Sequence, residues 1–284
     1  MQESFDIAGP AEIEVRVASG DIRIDPTLDG RVEVELIAHD EESQRFVDDA
    51  RIELRDRRLL VDVQQKRSGF NLGFVFGRSG ITCRIRCPHD SSVSAKTKSA
   101  DLECLGTVGG LNVATASGEV EADRVSGGVN VKSASGDTTI REIGGAVSIQ
   151  TASGDVELGI VRGPASVNTA SGDVTIEEAY DNVNANTVSG DQQHLAVTAG
   201  NVSAHSVSGD VTIGVRRGSR VWLDCNTVSG DTSSELDLST DAPQGDGPLL
   251  ELRAKTVSGD ITIRRAPALE VPPAETNGAQ EVHA

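Results

Sequence analysis

Large and reactive side chains are scarce in this chain. Aromatic residues make up 2% of it, with one Trp, one Tyr and five Phe, and there is one Met. A core without rings must be built from Val, Ile, Leu, Ala and Thr, which suits thin regular layers better than a bulky globular centre. Four cysteines, Cys83, Cys87, Cys104 and Cys225, are too few for a disulfide scaffold in 284 residues and read as small buried apolar groups. No apolar run is long enough to span a bilayer as a helix. The opening MQESFDIAGP has no basic region followed by an apolar stretch, so the sequence predicts a cytoplasmic protein. Nucleophile elbows, phosphate loops and His-Glu zinc helices are also missing. The five histidines are scattered, and the expectation is no catalytic residue, no cofactor and no enzyme.

Positive charge is scarce too. The net charge of −18 disfavours a general affinity for nucleic acid phosphates. Its distribution is uneven. Residues 1–50 carry 14 acidic and 4 basic groups, residues 51–100 carry 4 and 11, and residues 101–265 carry 23 and 11.

What is abundant is a repeat. Ser-Gly-Asp first occurs at Ser19. A variant, Ser99-Ala100-Asp101, opens a series continued by Ser117-Gly118-Glu119 and by copies at Ser135, Ser153, Ser171, Ser189, Ser208, Ser229 and Ser258. From Ser99 to Ser189 every step is 18 residues; the later steps are 19, 21 and 29. A fixed period of this size is the signature of a solenoid. Within a unit, Val147, Ile149 and Thr151 share one parity, and Val156 and Leu158 share the next after the Ser-Gly-Asp corner. Alternation with period two means strands with one buried face. The predicted fold is therefore all-β: a single-stranded parallel β-solenoid, or β-helix, with two short strands per 18-residue coil. Right-handed winding is expected from the usual hand of parallel crossovers. Gly109-Gly110, Gly127-Gly128, Gly144-Gly145 and Gly163-Pro164 mark the second corner. The division is residues 1–98 as irregular β-rich first coils and cap, 99–265 as regular solenoid, and 266–284 as a disordered Pro-, Ala- and Glu-rich tail. The 239–248 stretch reads as a loop, and the coil containing 255–264 is expected to end the stack.

The segment 81–88 followed by 91–136, with its Thr-Ala-Ser-Gly-Asp-Val units, resembles a bacterial putative-adhesin family, domains of unknown function built as β-solenoids with Ser-Gly-Asp corners. The resemblance extends to about Arg265. It implies a binding or scaffold role and supplies no catalytic residues.

Two candidate sites follow from the residues. Phe70, Leu72, Phe74 and Phe76, flanked by Lys66, Arg67 and Arg78, form a Phe-rich loop at 68–80. It is read either as a lid on the open end of the core or as an apolar finger with a basic collar for a partner protein or membrane surface. The second candidate is the carboxylate column that includes Asp137, Asp155, Asp173 and Asp191. Stacked about 5 Å apart, such groups repel by roughly 1 kcal/mol per pair in water. A divalent cation would relieve that, but backbone N–H donors within the turn are the expected partners, and no metal is required. The functional expectation is a non-catalytic binding or scaffold protein. A carbohydrate-active or calcium-dependent β-helix module is the alternative.

Overall fold

Period-two alternation becomes structure in the unit centred on Ser153. Val147, Ile149, Val156 and Leu158 lie at most 3% exposed, while Ser153 and Asp155 face solvent. A computed structural model describes residues 1–63, 80–236 and 247–267. All strands in them join one hydrogen-bonded sheet wound into a β-solenoid. Strand Val147–Ser153 pairs in parallel with Val129–Ser135 on one side and Ala165–Ser171 on the other. The second strands of the same coils, Thr138–Ile143, Val156–Val161 and Val174–Ala179, pair likewise. The 18-residue step places like residues in columns. Ile140, Leu158, Ile176, His194, Ile213 and Ile263 form one such column, all at most 1% exposed. Each fully buried aliphatic side chain contributes about 1.5–3 kcal/mol relative to exposure.

The order of coils along the rod is not the order along the chain. From one end the pairings give 58–86, 12–25, 92–108, 110–125, 129–143, 147–161, 165–179, 183–197, 200–215, 249–265 and 220–234. At each end, two coils adjacent in sequence have exchanged places. The expectation that the coil containing 255–264 ends the stack is corrected here. Strand Leu249–Ser258 lies between Gly200–His205 and Arg220–Ser229, and Ile261–Arg265 lies between Val211–Val215 and Thr232–Ser234. Both coils carry the same Thr-Val-Ser-Gly-Asp corner and fit the same columns. The chain passes outward to 220–234 first and returns beneath it.

Beyond coil 58–86, both strand stacks continue with antiparallel strands. Arg51–Arg55 adds to Arg58–Val63, and Arg31–Ala38 adds to Ile81–Arg86, with Gln2–Asp6 outside it. The helix Glu41–Asp48 joins the two sides. Its start is set by Asp40, whose carboxylate accepts the Ser43 N–H at 2.7 Å. That bond holds the Asp40 carboxyl below the usual range. Val47 enters the core at 1% exposure, with Phe46 packed against the same cluster. Leu59, Val61, Cys83 and Ile85 of coil 58–86 are consequently sealed at 0% exposure.

Candidate functional site

The edge that carries the Ser-Gly-Asp corners is the most regular surface of the molecule. Gly172 shows why glycine recurs there. Its φ is +146°, and a Cβ would lie 2.2 Å from the carbonyl oxygen of Gly154 in the coil beneath. No side chain fits that approach, so the corners stack backbone on backbone. Ala100 occupies the equivalent position in coil 92–108, where the strand Ser92–Val108 runs unbroken through the corner.

The aspartates of this edge are bound across coils. The Asp137 carboxylate accepts the backbone N–H of Asp155 at 2.8 Å, Asp155 accepts that of Asp173, and Asp173 accepts that of Asp191, both at 2.8 Å. The chain of bonds continues through Asp210 and Asp260 to Asp231. The donors therefore belong to the next coil, which corrects the expectation of donors within the same turn. Each carboxylate meets the partial positive charge of an N–H, which offsets repulsion along the column. Among the described residues, no group of three or more His, Cys, Asp or Glu is placed to hold a metal ion.

From coil 92–108 onward, the residue just before each corner serine is exposed. Along the rod this column reads Lys98, Ala116, Ala134, Ala152, Ala170, Val188, Val207, Val257 and Val228, every one exposed. The register is fixed by the serine column, where Ser189 pairs with Ser208, Ser208 with Ser258, and Ser258 with Ser229. Val188, Val207 and Val257 are 52, 49 and 49% exposed, and Val228 is 80% exposed. At about 4.8 Å per coil the four valines form a ridge about 14 Å long. Alanine fills the same position in the coils before it, so the corner itself does not require valine. This ridge is not among the candidate sites read from the sequence. Its signal in the sequence is the change from Ala-Ser-Gly-Asp to Val-Ser-Gly-Asp in four consecutive repeats.

The other candidates are dispersed. Arg67, Phe70, Leu72, Phe74, Phe76 and Arg78 lie outside the described residues. The chain leaves the described structure after Val63 and returns at Gly80, at the corner of the coil 58–86. Cys83 and Cys87 are buried free thiols that burial pushes up to about 12 and about 11, so they are not nucleophiles at neutral pH. Burial also raises Cys104. His194 is 0% exposed, and burial lowers it to about 4. Neither ring nitrogen has a hydrogen-bond partner among the described residues. A groove of about 390 Å³ is lined by Arg23, Asp25, Glu33, Glu35, Arg84 and Arg86, but its cations are paired: Arg84 with Glu35 at 3.5 Å, Arg86 with Glu33, and Arg23 with Glu103 at 3.0 Å. Glu14 is similarly clasped by Arg58 and Arg16, which hold its carboxyl below the usual range. No described helix is long and apolar enough to cross a membrane.

The sequence profile described as Toastrack DUF4097 matches residues 11–264. No curated protein matches the chain. Among solved structures it is similar to a putative adhesin from Bacteroides fragilis, at 16% identity and a TM-score of 0.49 over 93% of this chain and 96% of that one. A putative adhesin from Parabacteroides merdae is 14% identical, with a TM-score of 0.42 over 93% and 95%. A putative lipid binding protein from Parabacteroides distasonis is also 14% identical, with a TM-score of 0.44 over 92% and 96%.

Proposed function

We propose, from the premise that this chain belongs to the Toastrack DUF4097 family, that it is a non-catalytic binding module whose partner docks along the Ser-Gly-Asp edge. The observation that carries this reading is the ridge of Val188, Val207, Val257 and Val228, about half exposed or more in four neighbouring coils. The rod gains no core packing from these side chains. Covering them with a partner contributes about 0.5–1 kcal/mol each. The rows beside them are serine hydroxyls and aspartates already engaged with backbone N–H groups. That combination favours an extended apolar strip on a partner over a charged ligand. The buried thiols, the unprotonated His194 and the paired arginines support a role without chemistry.

The test replaces the four valines with alanine, the residue found in the preceding coils, so the fold is retained. A photo-crosslinking residue at position 203, on the flat face of the same coil, serves as the control for one at position 207. In native cells, position 207 is expected to give a discrete adduct and position 203 is not. Changing the other three valines to alanine should abolish that adduct while leaving the far-UV circular dichroism and the melting temperature unchanged. An adduct of equal yield after those changes removes the ridge from the binding surface.

A further inference from the structure

The last coil of the rod, 220–234, has an edge that no other described strand pairs. Among the described residues, Arg220–Ser229 pairs only with Leu249–Ser258, and Thr232–Ser234 only with Ile261–Arg265. The Arg220 N–H is donated inward to Pro248 O at 2.9 Å. Because amide direction alternates along a strand, Val221, Leu223 and Cys225 turn their N–H and C=O groups to the open side. Their side chains are in the inward row, yet they are only half-buried, whereas Leu250, Leu252 and Ala254 beneath them are 0% exposed. A strand with free amides and a part-uncovered apolar row is a template for pairing with another strand.

We propose that this edge is the contact between two copies of the chain, joined end to end about a two-fold axis, with residues 220–224 of each antiparallel to their counterparts. Three observations select a second copy. Arg220 and Asp224 stand on the same face, two residues either side of Trp222. Antiparallel pairing centred on Trp222 therefore sets Arg220 of each copy opposite Asp224 of the other. That register also pairs Val221 with Leu223, the residues whose amides face outward, so the hydrogen-bonding phase and the charges agree. Trp222 is 44% exposed, with Arg253 5.4 Å from its ring centroid, and meets its own counterpart across the axis as an aromatic cross-strand pair. Second, coil 220–234 carries only Arg220, Asp224 and Asp231 as charged residues in a chain of net charge −18, so two acidic rods meet where repulsion is smallest. Third, the opposite end is closed by the helix Glu41–Asp48 and the antiparallel strands. Assembly therefore stops at a closed pair and does not grow into a filament.

The experiment is light scattering of the full chain across a dilution series, with melting followed by circular dichroism as the check on folding. The expected mass is twice 29.7 kDa. Asp224→Arg sets arginine against arginine and should weaken the dimer by at least about 10-fold. The exchange Arg220→Asp with Asp224→Arg restores the opposite-charge pairs and should restore dimerisation. A wild-type chain that remains monomeric up to about 0.1 mM overturns the proposal. So does a dimer indifferent to Asp224→Arg, or one that the double exchange fails to rescue. The variant with Val188, Val207 and Val257 changed to alanine, which leaves the edge strand Arg220–Ser229 intact, should dimerise normally, so failure here is distinguishable from failure of the binding role.

Discussion

The two ends of this rod solve one problem in opposite ways. A stack of coils exposes half a core at each end unless something covers it. At the end formed by coil 58–86, strands cross to antiparallel pairing and the helix Glu41–Asp48 lays Val47 over the core, sealing Leu59 and Val61 completely. At the other end the described residues stop at coil 220–234, and Leu223 remains half-buried. The repeat therefore sets how coils stack, but not how stacking terminates. Termination needs a covering element outside the repeat, and among the described residues the N-terminal region supplies one.

The sharpest break of this comparison is a pair of cavity mutants. Leu59→Ala should cost about 2–5 kcal/mol, as expected for a sealed aliphatic side chain, and Leu223→Ala, measured on the monomer at high dilution, less than about half of that. Denaturant midpoints at unchanged slope measure both. Equal losses would mean that the two ends are equally covered.

A second test uses the half of the rod nearer the open end, where the column Ile140, Leu158, Ile176 is interrupted by His194. Burial lowers His194 from 6.5 to about 4, so the unfolded chain binds the extra proton between these values. Stability is then complete above about pH 6.5 and falls as the pH drops towards 4, by about 3 kcal/mol in all. His194→Ile, matching its neighbours, should flatten that slope. An unchanged pH profile in the variant would assign the acid sensitivity elsewhere.

The smallest effect is in the carboxylate column. Asp173 accepts the N–H of Asp191, whereas Asp231, in the last coil, has no coil above it among the described residues. Asp173→Ala should cost about 0.5–1.5 kcal/mol and Asp231→Ala a few tenths at most. Melting curves of the two variants resolve the difference, and a larger loss at Asp231 would show that the open end is covered.

Much of the regular middle was legible because Ser-Gly-Asp marks a backbone requirement. At Gly172 and its equivalents, one coil touches the next through main-chain atoms, which only a fixed residue type permits. The exchange of coils at the ends was not legible. Residues 227–231 and 256–260 read alike, so local pattern cannot tell which of the two coils lies outermost. The valine ridge does not depend on that exchange: Val188, Val207, Val228 and Val257 occupy consecutive repeats in either order, and the exchange only places Val228 outermost. The sequence allows a short helix over Glu42–Ala50, but the closure that the helix Glu41–Asp48 provides depends on strand pairings between residues far apart in sequence.

The exchanged coils also decide how the molecule responds to force. In a simple solenoid, tension on the chain end peels away the last repeat one bond at a time. Here the described chain runs out through Ala266 from a coil clamped on both faces, with Ala266 N–H donated to Val215 O at 2.9 Å. Tension from that side must first slide Ile261–Arg265 lengthwise between two neighbours, breaking several bonds together. The rod is thereby anchored against unzipping from its C-terminal side, whatever is attached there.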